Sequence, residues 1–345
     1  MDKQEEIYTQ AMQYLDDAIA DLQKEDLIDP EAQDLLYQGD AEKWLKLAYG
    51  LKARYTMHLL KRSANKDADM EKVLEYVNNS FESAEEQAAF DVYDANNINP
   101  LYGFFVARAG LGASESMRSK LAEYNDPRLS RAFITKQGTS GKEQAPGTAD
   151  NAVYAPNGTP EQGTSKYGTS LFMYSISAPT LLLSYHELKF LEAEALCRLE
   201  RDAKSALKDA VVAGLLNAEN SFTISRKELG KTLINAASSI TEAEAESYFD
   251  NTIEAKYTAE PLKTTMIQKY FALWGASGEA TESYNDVRRM KGLGENFIEL
   301  KNPNSFPLRC PYGNSDTTTN AEVKAAYGNG QYVYSENVWW AGGSR

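Results

Sequence analysis

The sequence predicts a mainly α protein, organised as a tetratricopeptide-like helical superstructure with long irregular loops. Apolar residues recur at spacings of three and four over most of the chain, which is typical of amphipathic helices. No segment shows the strong alternation of apolar and polar residues that marks a half-buried strand. Two consecutive amphipathic segments near residues 188–214 carry alanines at their contacts, as tetratricopeptide hairpins do.

The individual helices follow from this spacing in chain order. Ile7, Leu15 and Leu22 belong to the apolar stripe of the first helix, and Trp44 and Leu51 to that of the second. Besides the hairpin near 188–214, the pattern predicts helices over residues 5–23, 41–62, 69–78, 114–123, 241–256, 262–274 and 279–290.

Two stretches interrupt the helical pattern. Residues 136–170 are rich in glycine and proline, and the chain after Lys291 is rich in glycine, proline and asparagine. We expect a single domain over residues 1–345. Its expected parts are helical hairpins at about 5–78 and 186–290, a loop-rich ligand-facing part at about 81–180, and an irregular tail at 291–345.

The composition excludes several classes of function. The chain has 36 Lys and Arg against 50 Asp and Glu, a net charge of −14, and 21 Tyr but only 2 His and 2 Cys. Two His and two Cys do not supply the three or four ligands of a histidine- or thiolate-rich metal centre. The negative charge argues against nucleic-acid binding, which depends on Lys and Arg. We therefore expect no cofactor, no metal and no nucleic acid.

The sequence contains catalytic motifs only in incomplete form. His186 begins His-Glu-Leu-Lys-Phe, in which Phe190 stands where a zinc protease has its second histidine, so we expect His186 to pack or cap a helix. A pair of carboxylates would suffice for glycoside hydrolysis. Glu192 and Glu194 lie two residues apart and point to different faces of a helix, so we interpret them as a solvated surface.

Two further features leave alternatives open. Asp94, Asn96 and Asn97 offer oxygen atoms to a calcium ion, but their spacing fits an Asx turn better than a full binding loop. Cys197 and Cys310 are distant in sequence, and either a disulfide or two free thiols fits them.

Aromatic residues in the loops are the main candidates for ligand binding. Flat rings suit the C–H faces of sugars, and the hydroxyl of tyrosine makes hydrogen bonds. Because these aromatic residues are concentrated in loops, we expect that as a set they bind a ligand rather than pack against the protein. The expected ligand-binding residues are Tyr93, Asn96, Asn97, Tyr102, Tyr154 and Tyr167.

Several short segments, in order from about residue 39 to 340, together resemble the SusD/RagB family of outer-membrane nutrient-binding lipoproteins from Bacteroidetes. The segments are Gly39-Asp40, Leu51-Lys52-Ala53-Arg54, Asp126-Pro127-Arg128-Leu129, Phe190-Leu191-Glu192-Ala193-Glu194-Ala195, Gln268-Lys269-Tyr270, Tyr284-Asn285-Asp286-Val287-Arg288-Arg289, Arg309-Cys310-Pro311-Tyr312 and Val338-Trp339-Trp340. Gly313 and Ala341 depart from the usual proline and acid of the last two.

The resemblance implies a SusD-like fold and a protein without catalysis. It implies a lipid-anchored protein of the cell surface that delivers glycans, or peptides in the RagB branch, to a SusC-like TonB-dependent transporter of the outer membrane. The acidic start of the chain lacks the features of a signal peptide, so we expect the leader and the lipidated cysteine to precede Met1. No ligand-contacting residue follows from the resemblance.

The leading hypothesis is therefore a non-catalytic oligosaccharide-binding protein. Oligopeptide capture on the same scaffold is the nearest alternative. Two alternatives from other classes are an acid/base glycosidase and a tetratricopeptide scaffold that binds only proteins.

Overall fold

The mainly α prediction is confirmed by the computed structural model, which describes residues 2–24, 30–108, 111–135, 153–158, 167–275, 278–302 and 304–344. The helices are α1 Gln4–Leu22, α2 Ala41–His58, α3 Lys66–Asn78, α4 Pro100–Arg108, α5 Glu115–Glu123, α6 Leu129–Ala132, α7 Tyr185–Arg198, α8 Lys204–Leu229, α9 Glu242–Tyr248, α10 Glu254–Ala259, α11 Pro261–Ala272, α12 Ala280–Leu293, α13 Asn314–Thr319 and α14 Ala321–Tyr327. None of the helices in these ranges combines the length and apolar character needed to cross a membrane.

Polar caps determine where several helices begin. The Asp40 side chain accepts a hydrogen bond from the Lys43 N–H at the start of α2, and Ser184 accepts one from the Glu187 N–H at the start of α7. Each cap satisfies a backbone donor that has no partner within the helix. Helix α12 ends at Gly294, whose φ of +82° is a left-handed conformation that glycine adopts without steric cost.

Two small antiparallel sheets tie the middle of the chain to the helices. Strand β1, Ala88–Phe90, pairs with β4, Thr180–Leu183, and Phe90 lies opposite Thr180. Strand β2, Phe133–Ile134, pairs with β3, Thr169–Ser170. With two to four residues each, these strands are too short to show an alternating pattern in the sequence.

Helix α7 lies at the centre of the molecule and contacts α2, α3, α8 and α11. Phe190 and Ala193 belong to the main core, which is formed largely by α8, α9 and α11 together with residues 133–134, 154 and 171–174. Leu188 and Leu191 belong to a second core with α2 and α3. Because α7 contributes residues to both clusters, it joins the two cores.

Charged residues from the sequence motifs also lie in this interior. Glu194 on α7 accepts a 2.8 Å hydrogen bond from Arg289 Nη2 on α12. Lys269 Nζ on α11 lies 2.8 Å from Asp286 Oδ2, and Arg54 on α2 pairs with Glu187. Buried charges are tolerated when they are paired and hydrogen-bonded, so these motif residues connect α2, α7, α11 and α12.

The structure corrects the expected extent of the irregular regions. Helix α4 lies in the part expected to be loop-rich, and α13 and α14 lie in the tail expected to be irregular. The nine residues of α4 are almost all apolar and give no amphipathic period. The Asn99 side chain accepts a hydrogen bond from Leu101 N–H, and Asn320 caps α14 by accepting from the Glu322 and Val323 N–H groups. These helices therefore depend on local caps rather than on a long apolar stripe.

Candidate functional site

Four of the expected ligand-binding residues lie along one surface segment. The Tyr93 hydroxyl lies 2.8 Å from Thr180 Oγ1 on β4, and the Tyr102 hydroxyl donates to Glu228 Oε1 on α8 at 3.3 Å. Asn96 and Asn97 are exposed, and their N–H groups donate to Asp94 Oδ1 at 2.7 Å. The segment is thus an Asx turn anchored by a tyrosine on each side, and whether it binds a ligand stays a prediction.

Tyr154 and Tyr167 are placed differently, because both rings are buried, with exposed fractions of 5% and 4%. The Tyr154 ring packs edge-to-face on Phe133 at 5.2 Å, and the Arg118 guanidinium lies 5.3 Å from its centroid. Residue 167 pairs with Val153 in a parallel bridge. A buried ring offers no free face to a sugar, so these two tyrosines support the fold in this structure rather than stack on a ligand.

A groove of about 910 Å³ lies beside them and is lined by other side chains. Its walls are α5, α10, α11, the segment 156–157 and the segment 297–301. Ser116, Lys120 and Glu123 face the groove from α5, whereas Met117 and Leu121 on the same helix are buried in the core. This arrangement follows from the spacing of three and four along α5.

Helix α11 forms the opposite wall in the same way. Lys263, Ile267 and Tyr270 line the groove, and Met266 and Lys269 point to the protein interior. The predicted helix over 262–274 contains these residues, but sequence reasoning assigned none of them to a site. These residues form a second stripe on α11. The sequence alone does not show that this stripe lines a groove, because the segments that face it are distant in the chain.

The groove combines aromatic and polar groups. Phe271 is fully buried at its floor, and Tyr270 and Phe297 are half-buried on its walls. The Asn157 amide is oriented by Ser114, which donates to its Oδ1 at 2.7 Å, and by Asn302, which accepts from its Nδ2 at 3.3 Å. Burial raises the pKa of the Tyr270 hydroxyl, so this group stays neutral. Such a lining can stack on a ring and hydrogen-bond its substituents.

The charges of the described groove lining balance, although the whole chain carries −14. Four carboxylates and four ammonium groups belong to this described lining: Glu115, Glu123, Glu260, Glu299, Lys120, Lys256, Lys263 and Lys301. Lys263 pairs with Glu260 at 2.8 Å, and Lys301 pairs with Glu299.

A second cleft, of about 500 Å³, lies between residues 82–87 and helices α7, α8 and α9. Among its described residues, Glu82, Asp209, Glu242 and Glu246 line this cleft with one cation, Lys208, which itself pairs with Asp250. The second cleft is therefore acidic and differs from the groove in charge.

Two carboxylates with strongly shifted pKa values, Glu279 and Glu194, lie in the interior. Burial and the neighbouring Glu187 hold the pKa of Glu279 well above its usual range, but Glu279 is almost inaccessible to solvent. The pKa of Glu194 is held well below its usual range by Arg289 and Arg198, against the effect of burial. The expectation that Glu194 is solvated is therefore wrong, because it is fully buried in these ion pairs.

His186 is 1% exposed, and burial lowers its pKa to about 4, so it is a neutral residue packed inside the protein. Cys197 and Cys310 are free thiols rather than a disulfide. Within the ranges that the structure describes, no cluster of His, Cys, Asp and Glu is arranged to hold a metal ion.

Comparison with known proteins decides the family. The model of a SusD-like family, described as "Starch-binding associating with outer membrane", matches residues 1–312. The chain belongs to the SusD-like family. The resemblance found in the sequence is thereby confirmed.

Solved structures agree with this assignment. A SusD/RagB family protein from Bacteroides thetaiotaomicron is 66% identical, with a TM-score of 0.95, over 100% of this chain and 74% of that one. A SusD homolog from Bacteroides fragilis is 20% identical, with a TM-score of 0.73, over 99% and 75%. A chitin-binding SusD homolog from Flavobacterium johnsoniae is 20% identical, with a TM-score of 0.68, over 99% and 73%. No protein with a curated description matches the chain.

Proposed function

We propose that this SusD-like protein is a non-catalytic cell-surface protein that binds oligosaccharides in the groove. It is held at the outer membrane by a lipid anchor and delivers its ligand to a SusC-like TonB-dependent transporter. The observation that carries the binding proposal is the groove itself, in which aromatic rings, an oriented amide and balanced charges line one concave surface. The family description, starch-binding and associated with the outer membrane, supports the sugar and the location.

The groove suits a short sugar chain in size and chemistry. Tyr270 and Phe297 provide ring surface for the apolar faces of pyranose units. Asn157, Ser116 and Ser119 provide donors and acceptors for hydroxyl groups. A volume of about 910 Å³ is near the upper end of pockets that hold small molecules, which fits an oligosaccharide of a few units.

Calorimetry with defined ligands tests this proposal. Malto-oligosaccharides are the first panel because of the family description, and chito-oligosaccharides are the second because two structural relatives are described as chitin-binding. A panel of oligopeptides tests the nearest alternative. We expect saturable binding of one oligosaccharide class and no binding of peptides. Binding of peptides alone would contradict the proposal.

Two further measurements test the remaining parts. Incubation of the ligand with concentrated protein should release no new reducing ends, whereas turnover would identify a glycosidase. Purification of the full-length protein from outer membranes should recover a TonB-dependent transporter with it. Recovery of soluble protein partners without any sugar binding would favour a protein-interaction scaffold instead.

A further inference from the structure

Two ammonium groups in the groove lack the carboxylate partners that the other two have. Lys263 and Lys301 are paired with Glu260 and Glu299. Among the residues that the structure describes, no carboxylate forms an ion pair with Lys120, which is partly buried on α5. Its Nζ donates to Ser116 Oγ at 2.7 Å, which uses one of the three donors of an ammonium group.

Lys256 on α10 is the second such group. Its Nζ lies 4.4 Å from the centroid of the Tyr124 ring, a cation–π contact, and again no described carboxylate pairs with it. Tyr124 follows the last residue of α5 and also lines the groove. The two ammonium groups therefore belong to neighbouring walls.

Among the described residues of the groove, fewer carboxylates than ammonium groups lack an ion-pair partner. Glu115 lies 3.9 Å from Arg118 and accepts a hydrogen bond from Ser119, and Glu260 and Glu299 pair with lysines. Only Glu123, of the carboxylates in the described lining, makes no ion pair. Two cations thus face one anion once the pairs are removed, in a protein that carries −14 overall.

The environment of Lys120 makes the missing partner costly. Burial lowers the pKa of Lys120, and Glu299, Lys301 and Glu123 act on it only at longer range. A partly desolvated ammonium group with unused donors gains free energy when an anion approaches, because a charge-assisted hydrogen bond replaces lost hydration.

We propose that the groove selects oligosaccharides that carry an anionic group, a uronic-acid carboxylate or a sulfate ester, and that Lys120 binds this group. Lys256, on the neighbouring wall, is the second ammonium group without a carboxylate partner among the described residues. This inference rests on the proposed function, because it names the class of sugar for the same groove. The net negative charge of the chain does not prevent it, since salt screens distant charges beyond about 8 Å at physiological ionic strength.

Matched ligands that differ only in charge test this inference. The first pair is an oligogalacturonide and its fully methyl-esterified form, and the second is a chito-oligosaccharide with and without sulfate esters. We expect the protein to bind one acidic ligand roughly tenfold more tightly than its neutral partner, the effect of one charge-assisted hydrogen bond. The preference should shrink as the salt concentration rises.

Variants locate the effect. Lys120→Gln should remove the preference, measured as the ratio of the affinities for the acidic and the neutral form, and Lys120→Arg should restore most of it. Lys263→Gln is the matched control, because Lys263 lines the same groove but already has a partner in Glu260. The thermal unfolding of each variant shows that it is folded.

The outcomes separate the two proposals. Equal affinity for both members of each pair, with binding retained, overturns the anionic selectivity and leaves the groove as a site for neutral sugars. A preference that survives in Lys120→Gln overturns the role of Lys120. Absence of binding to every sugar overturns both the selectivity and the proposed function.

Discussion

Lys269 and Lys120 show how two regions of one protein use the same charged group. Lys269 is buried among α7, α11 and α12, where its ammonium group lies 2.8 Å from Asp286. Lys120 faces the groove, and among the described residues its partner is the Ser116 hydroxyl. In the interior the charged groups pair with one another, whereas the groove also contains an ammonium group without a described carboxylate partner. Helix α11 separates the two regions, since Lys269 and Tyr270 are adjacent in sequence and point to opposite sides.

The comparison predicts that substitutions in the interior affect stability and that substitutions in the groove affect binding. Arg289→Met is the strongest test, because it leaves Glu194 and Asp286 buried without this partner. We expect a loss of about 3–5 kcal/mol in the free energy of unfolding. Denaturant titration measures this loss, and Arg201→Met is the control, because its pair with Glu71 is exposed and contributes less than about 1 kcal/mol. Similar losses in both variants would remove the distinction.

The pH dependence of stability is the second test. The pKa of His186 is lowered to about 4 by burial, against an ordinary value of 6.5. As the pH falls from about 6.5 to 4, the unfolded chain takes up a proton that the folded protein does not. The free energy of unfolding should therefore decrease by on the order of 3 kcal/mol over this range, with no contribution above it.

Urea titrations at several pH values, on the protein and on His186→Gln, isolate this contribution. Glu279, whose pKa is shifted in the opposite direction, is present in both proteins. The curve of the variant should be flatter than that of the original protein below pH 6.5. Parallel curves would show that His186 is protonated in the folded state.

A third test concerns the contact between α8 and α11. A β-carbon on Gly214 would lie 2.9 Å from the β-carbon of Ala272, which is closer than two carbons pack. Gly214→Val should therefore cost about 1–3 kcal/mol through overpacking. Ala213→Val, which faces the second cleft, should change the denaturation midpoint little. An equal effect of both substitutions would indicate the lower helix propensity of the β-branched valine rather than a clash.

The groove should give the smallest effect on stability. Tyr270→Leu keeps an apolar side chain but removes the ring, so we expect the affinity for the oligosaccharide to fall by about 0.5–1.5 kcal/mol. The denaturation midpoint should stay nearly constant. Calorimetry measures the affinity, and Tyr334→Leu serves as the control, because Tyr334 is exposed and lies outside the groove. A large loss of stability would show instead that Tyr270 contributes to the packing of the interior.

Much of the fold was predictable because helical periodicity is a local signal. Helix α5 was expected over 114–123 and spans Glu115–Glu123, and α11 was expected over 262–274 and spans Pro261–Ala272. The motif segments that predicted the family also supply charged residues of the buried ion pairs. Strand β2 was missed because two residues are too few for a period, and α4, although as long as α5, was missed because its residues are almost all apolar.

The candidate site was less predictable, because it depends on contacts between distant segments. The loop 136–170 drew attention to Tyr154, yet the neighbouring Asn157 reaches the groove and Tyr154 packs beneath it. Residues 136–152 and 159–166 of that loop lie outside the described residues. Glu194 looked solvated because a charged residue on a helix usually faces water, but its face of α7 is buried, whereas Glu192 lies on the partly exposed face.

The buried side chain of Arg128 fixes the floor of the groove. This fully buried guanidinium, held by Asp126, donates at 2.7 Å to the carbonyl oxygen of Phe271, 143 residues away in the chain. The bond secures the last turn of α11 directly below the groove. An entering ligand thus meets a floor that is preorganised. Free energy of association is then not consumed in ordering this part of the protein, which favours fast capture and a small entropic penalty.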